Sequence, residues 1–162
     1  AVQQLSYHAI TTVYLRYPQP LHLPAALTGF ARRPTQWLLD RGRLQHPNEA
    51  AAIISTSDLV AESSLHTDGK PDWAATAHQD LLQINPHLPP PEAQQTITEK
   101  RATVASTVNR RLPDMADLNA ARIWLAGDWL HDRYPATLEA AVQTGERAAQ
   151  QCLAALTHIS GT

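Results

Sequence analysis

The run from Arg122 to Gln151, RIWLAGDWLHDRYPATLEAAVQTGERAAQQ, restricts the fold more than any other part of the sequence. It opens on a short continuous apolar run, Ile123 to Ala126, whose β-branched and aromatic members predict a strand buried on both faces. Gly127-Asp128 ends that run. Glycine allows a sharp turn or the close approach of another molecule, and the aspartate carboxylate accepts hydrogen bonds from hydroxyls, so a ligand can sit at the strand's carboxyl end. Further on, Pro135 has its φ fixed in a helix-compatible range and Thr137 can cap, which predicts a helix start between them.

The stretch beyond Thr137 is periodic. Leu138, Ala141, Val142, Gly145, Ala149, Cys152 and Leu156 recur at helical three- and four-residue steps, while Glu139, Gln143, Glu146 and Gln150 fall on other faces. Gly145 in mid-helix costs roughly 1 kcal/mol relative to alanine, which predicts that something packs closely against that point. The helix start offers unpaired N–H groups and the positive end of a dipole. Two readings stay open for it: Asp128 and the helix start face a ligand together, or Asp128 is a turn residue and the helix start is solvated.

The chain before this run reads as sheet. Ile10 to Tyr17 mixes β-branched and aromatic residues and predicts a strand ending at Pro18, and Leu27 to Phe30, Thr35 to Asp40 and Ala50 to Thr56 predict three more in a sequential antiparallel meander. Ser57 or Asp58 can cap a short helix through Ser63, and Asp68-Gly69 signals a turn. Pro71 opens a helix with Trp73, Ala77, Leu81 and Ile84 on one face, ended by Asn85-Pro86 and a stiff Pro89-Pro90-Pro91 connector. Thr96 to Ser106 predicts a strand with one wet face, and Asn109 to Asn119 reads as polar and irregular. Trp37 and Trp124 are expected in the core, and Glu62, Asp68, Asp72 and Asp80 at the solvated surface.

A length of 162 residues allows a real core, and a formal net charge of -2 with interspersed signs provides no basic stripe for nucleic acid. The single cysteine, Cys152, reads as a buried structural thiol, which suits a reducing cytoplasm. No apolar run approaches the ~20 residues of a membrane span. With eight histidines but no H-E-x-x-H and no C-x-x-C, a metal site has no local support, and no G-x-S-x-G appears. His131 has two readings, an ordinary solvent-facing loop residue or a proton donor. The only methionine is Met115 and Ala1 leads directly into strand-like sequence, so these residues are expected to be a piece of something longer.

LAGD followed at short distance by YPATLEAAVQTGERAA resembles the C-terminal flavin-binding motif of the flavin amine oxidase and phytoene desaturase superfamily. SYHAITTVYLRY, TQWLLDRG and TEKRATVAS come in the order found in its hydroxysqualene dehydroxylase members, so the resemblance covers most of Ser6 to Ala149. It departs from the pattern at Ala140, where many relatives have glycine, and at Thr144, where serine is common.

By resemblance, Gly127 and Asp128 would hold the ribityl chain of FAD, and Ala136, Thr137 and Leu138 would face the flavin ring at the helix start. Trp129, beside Asp128, is a candidate edge of that cofactor site, and Glu139 is expected to turn its carboxylate away from the ring. The implied fold is α+β, mainly an antiparallel sheet with flanking helices, plus a C-terminal strand-loop-helix unit of a two-domain FAD-dependent oxidoreductase. Residues 1–110 would belong to the substrate-binding domain and 111–162 to the FAD-binding domain.

No G-x-G-x-x-G occurs, so the nucleotide-binding half would lie outside this chain, and FAD is expected not to be retained by it alone. The implied activity is the dehydroxylation of a long isoprenoid, hydroxysqualene to squalene in hopanoid biosynthesis, catalysed in the cytoplasm or against the inner membrane. The rivals are a carotenoid desaturase, an amine oxidase, or a folded module without catalysis. The catalytic residues carry no sequence signature. An apolar face cut from its partner also predicts self-association.

Overall fold

The computed structural model describes residues 5–44, 46–56, 71–105, 107 and 112–157. The elements, in chain order, are β1 (Tyr7–Arg16), β2 (Leu27–Gly29), β3 (Trp37–Asp40), β4 (Glu49–Thr56), α1 (Trp73–Leu82), β5 (Ala93–Val104), α2 (Met115–Ala120) and α3 (Leu138–Thr157). They fall into two compact units, His8–Ala102 on the one hand and Ala1–Tyr7 with Thr103–Thr162 on the other. The sequence expectations at Ser57 to Ser63, Glu62 and Asp68-Gly69 lie outside the described residues.

The sheet has the order β2-β3-β4-β1-β5. β2, β3 and β4 form the expected meander, with Thr28 opposite Leu38 and Leu38 opposite Ala52. β1 then departs from strict sequence order by inserting between β4 and β5, pairing antiparallel with β4 so that Val13 faces Ala52 and Arg16 faces Glu49. β5 also runs antiparallel to β1, since the Glu92 amide meets the Arg16 carbonyl at one end and the Ala105 amide meets the Ser6 carbonyl at the other.

The alternation of β1 is what makes the core. Thr11, Val13, Leu15 and Tyr17 are all fully buried on one face, where Val13, Leu15 and Tyr17 cluster with Leu38, Ala52 and Ile54 of the sheet and Ala74, Ala77 and Leu81 of α1. Asp72 caps α1 by accepting from the Ala75 amide at 2.9 Å.

Two expectations fail here. Trp37 is not a core residue: it is 49 % exposed, its ring lying over Gly29 across the β2–β3 pair, where a Cβ would come within 3.1 Å of it. Asp80 is not solvated: it is 3 % exposed, and its carboxylate accepts from the buried Thr35 amide at 3.1 Å and pairs with Arg33 at 3.7 Å. Its place beside Ala77 and Leu81 on the apolar stripe turns it inward. The expected wet face of β5 is an understatement as well, because its first ten residues are exposed on both faces.

Tyr17 sends its hydroxyl to His78 Nδ1 at 2.9 Å. Burial pushes the Tyr17 hydroxyl up from its ordinary value, and desolvation holds His78 below its usual 6.5. The folded chain therefore takes up the His78 proton at lower pH than the unfolded chain. Stability from this group is intact above 6.5 and falls as pH drops below it toward the folded-state value. His78→Gln is expected to flatten that part of the stability–pH curve; a parent-like slope below neutrality in urea titrations would remove His78 from the account.

In the second unit, Ile123 to Ala126 forms no strand. The segment is extended loop with Ile123 47 % exposed, because no neighbouring strand among the described residues offers the hydrogen bonds that a doubly buried strand requires. Trp124 is accordingly only half-buried. Within the stretch expected to be irregular, α2 forms from Met115, capped by Asp114, which accepts from the Ala116 amide at 2.8 Å. α3 runs for 20 residues and turns Ala140 and Thr144 inward. Its expected apolar stripe is largely uncovered among the described residues, with Leu138 89 % exposed and Val142 and Leu156 also exposed. A Cβ at Gly145 would meet nothing within 4 Å, so no close packing explains that glycine among the described residues, and Cys152 is half-buried rather than enclosed.

Candidate functional site

The site is assembled by one hydroxyl. Thr144 sits four residues after Ala140 on the buried side of α3, and its Oγ1 accepts from the Gly127 amide at 3.1 Å. The same hydroxyl faces the Ala140, Gly127 and Ala141 carbonyls at 2.8, 3.0 and 3.1 Å, to any one of which its single hydrogen can go. The loop carrying Gly127 and Asp128 is thereby tied to the second turn of α3, and the Ala136 amide reaches the Asp128 carbonyl at 3.4 Å. Gly127 and the helix start, separate in sequence, are neighbours in space.

Gly127 has φ +152 and ψ 152, a region open in practice to glycine alone. Its missing side chain is also occupied space: a Cβ there would lie 2.6 Å from Trp129 Nε1. Trp129 belongs to a 3₁₀ turn, Asp128–Leu130, and folds its indole back over Gly127. The Asp128 carboxylate is half-buried and has no hydrogen-bond partner among the described residues.

At the helix start, Thr137 caps α3 by accepting from the Ala140 amide at 3.1 Å, while its own hydroxyl donates to the Tyr134 carbonyl at 3.0 Å. Leu138 and Glu139, the first two residues of α3, keep their amides open, as helix geometry requires. Ala136, just before the cap, takes φ +64.

His131 is not the solvent-facing loop residue that its position suggests. It is 4 % exposed, and its Nδ1 accepts from the Arg133 and Tyr134 amides at 3.2 and 3.3 Å. That assigns the proton to Nε2, which donates to Gln143 Oε1 at 3.1 Å. Tyr134 stacks on the imidazole at 3.9 Å between ring centres and gives its hydroxyl to the same Gln143 oxygen at 3.0 Å. Gln143 Nε2 in turn donates to Glu139 at 2.7 Å, so the Glu139 carboxylate is drawn one turn along the helix. His131 and Gln143 thus brace the loop between Asp128 and Thr137.

Gly127, Asp128, Trp129, Ala136, Thr137 and Leu138 therefore stand in one connected region. Gln143 and the structural role of His131 escape a sequence reading, as does the tethering role of Thr144, which the resemblance marks only as a position where serine is common. Chemically the region sets an unpaired carboxylate, which accepts from hydroxyls, beside helix amides, which donate to an electron-rich atom.

Comparison with known proteins bears on this arrangement. Hydroxysqualene dehydroxylase of Rhodopseudomonas palustris is 31 % identical over 150 residues, covering 92 % of this chain and 33 % of that protein. The protein of the same name from Sinorhizobium fredii is 25 % identical over 151 residues, covering 91 % of this chain and 33 % of its own length. The one from Zymomonas mobilis is 44 % identical over 62 residues, 36 % of this chain and 14 % of that protein. The chain spans about a third of the length of the first and second of these. A solved structure from Exiguobacterium sp. 255-15, described as a candidate protoporphyrinogen oxidase, aligns at 16 % identity and a TM-score of 0.49 over 92 % of this chain and 36 % of its own. The model of the flavin containing amine oxidoreductases matches residues 1–153. On that match, which takes in the sheet, the Gly127 loop and most of α3, the chain belongs to the flavin containing amine oxidoreductase family.

Proposed function

We propose that these residues form part of an FAD-dependent oxidoreductase that removes the hydroxyl of hydroxysqualene to give squalene, in hopanoid biosynthesis. The observation that carries the reading is the tether between Gly127 and Thr144, which brings an unpaired carboxylate and the open amides of α3 into one region. Its donor set fits a flavin: Asp128 offers an acceptor for a ribityl hydroxyl, and the Leu138 and Glu139 amides offer donors for the ring edge that gains negative charge on reduction. Gly127, whose missing Cβ makes room for the Trp129 indole, presents Asp128, and Ala136 and Thr137 set the direction of the amides.

When bound, reduced flavin would supply the hydride that replaces the allylic hydroxyl. No G-x-G-x-x-G is present in the sequence, so the pyrophosphate would be gripped by residues outside these 162, and retention of FAD by this chain alone would be weak. An oily substrate implies work at a membrane surface, from the cytoplasmic side. No helix among the described residues is long and apolar enough to cross a membrane.

The three relatives favour the isoprenoid over an amine, and two rings of this loop are already engaged, Tyr134 on His131 and Trp129 on Gly127. The test is to express the complete reading frame that contains these residues and supply hydroxysqualene. Squalene formation is expected, and oxidation of amines with no squalene would overturn the reading. In the same protein, Asp128→Ala removes a charged acceptor, about 1.5–3 kcal/mol, and should lower flavin affinity by ten-fold or more. Undiminished flavin content after gel filtration would take Asp128 out of the site.

A further inference from the structure

A pocket of about 270 Å³ opens in the unit that holds the sheet, between the segment after β1 and the connection from β3 to β4. Pro20 and His22 stand on one wall, and Asp40, Arg43, Pro47 and Asn48 on the other. Hydrogen bonds join the two segments before and after residues 20–22: the Tyr17 amide donates to the Asn48 carbonyl at 2.9 Å, and Arg43 Nη2 donates to the Leu23 carbonyl at 2.6 Å. Leu21 and Leu23 are buried in the core, so the extended chain between them carries His22 outward. His22 at φ +51 and Asn48 at φ +64 are both left-handed, a conformation that histidine and asparagine take more readily than most residues but still at a cost.

Arg43 decides what such a pocket can hold. Its Nε lies 3.4 Å from Asp40 Oδ2, and the other Asp40 oxygen accepts from the Gly42 amide at 3.0 Å. Asp40 and the Leu23 carbonyl therefore fix one edge of the guanidinium. Both Nη1 hydrogens and the second Nη2 hydrogen have no partner among the described residues, and they make the planar fork that takes two oxygens of one carboxylate or phosphate. The His22 imidazole and the Asn48 amide line the same pocket and are likewise without a hydrogen-bond partner among the described residues. Since the carboxylate in the lining is already engaged by an amide and a guanidinium, the groups left over are mainly N–H donors, which suit an electron-rich oxygen.

We propose that this pocket binds a small oxyanion, the phosphate or carboxylate end of a small molecule, on the fork of Arg43, with His22 and Asn48 supplying further hydrogen bonds. The site owes nothing to the flavin reading. Isothermal titration of inorganic phosphate, and separately of acetate, into the protein expressed from the complete reading frame is expected to show one saturable site for at least one of the two anions. The anion that responds names the chemistry of the natural ligand.

Arg43→Lys keeps the charge but loses the fork, and it should weaken the site roughly ten-fold. His22→Gly and Asn48→Gly delete a side chain while leaving the left-handed backbone open to the residue, so each should fold like the parent and weaken binding about three-fold. Circular dichroism checks that each variant is folded, and if Arg43→Lys is not, the two glycine variants carry the test. Heats that never saturate with either anion would overturn the proposal. So would a saturable site that a folded Arg43→Lys, or both glycine variants, leave unchanged, since that site lies elsewhere on the protein.

Discussion

Asp80→Ala is expected to cost about 2–3 kcal/mol, seen as a fall of roughly 5–10 °C in the thermal midpoint of the unit that holds the sheet. The carboxylate is almost fully enclosed, and it satisfies the amide of Thr35, a residue with no exposed surface. Deleting it strands that buried donor without water, which is a larger loss than the ion pair itself. Arg33 is 46 % exposed and can turn to solvent, so its contribution is small. Asp80→Asn keeps an oxygen for the Thr35 amide and should lose less than half as much. A midpoint within about 2 °C of the parent for Asp80→Ala would show that Thr35 finds another acceptor.

Gly127→Ala is expected to disrupt the other unit to a similar degree, about 2–3 kcal/mol, through two separate causes. A φ of +152 is strained for any residue with a Cβ, and that Cβ would sit 2.6 Å from the Trp129 indole. The ring must swing out or the loop must move, and either breaks the bonds of Gly127 to Thr144. Tryptophan fluorescence should shift along with the melting curve, since Trp129 loses its seat. An alanine variant with a parent-like spectrum and melting curve would mean that the loop relaxes freely, and the tether to α3 would lose its importance.

β1, β4 and β5 are readable in sequence because each alternates or clusters β-branched residues, while the short β2 and β3 are read from the breakers that bound them. The span of α1 and the Thr137 cap are readable for the same local reason. The position of β1 between β4 and β5 is not, because pairing between strands distant in the chain leaves no local mark. Ile123 to Ala126 shows the limit of reading an apolar run: its composition suits a buried strand, but a strand needs a partner edge, and composition says nothing of whether one is present.

Asp80 is misread for a related reason. Charge argues for the surface, and only its position beside Ala77 and Leu81 on a helix argues for the interior. At the candidate site, Gly127, Asp128 and Thr137 are visible as a motif by resemblance, with physical reasons attached to each. Thr144, His131 and Gln143, which join and brace that motif, are not, because their roles exist only after the loop has folded against the helix.

Ala136 carries a consequence for any molecule that arrives there. A left-handed backbone at a residue with a Cβ costs about 1–2 kcal/mol, and glycine would relieve it while leaving more freedom in the chain. Keeping alanine, flanked by a proline and a capping threonine, leaves the peptide few alternative shapes. The hinge is thus set in advance, so that an incoming ring would meet amides already aimed and would forfeit little binding energy to ordering them.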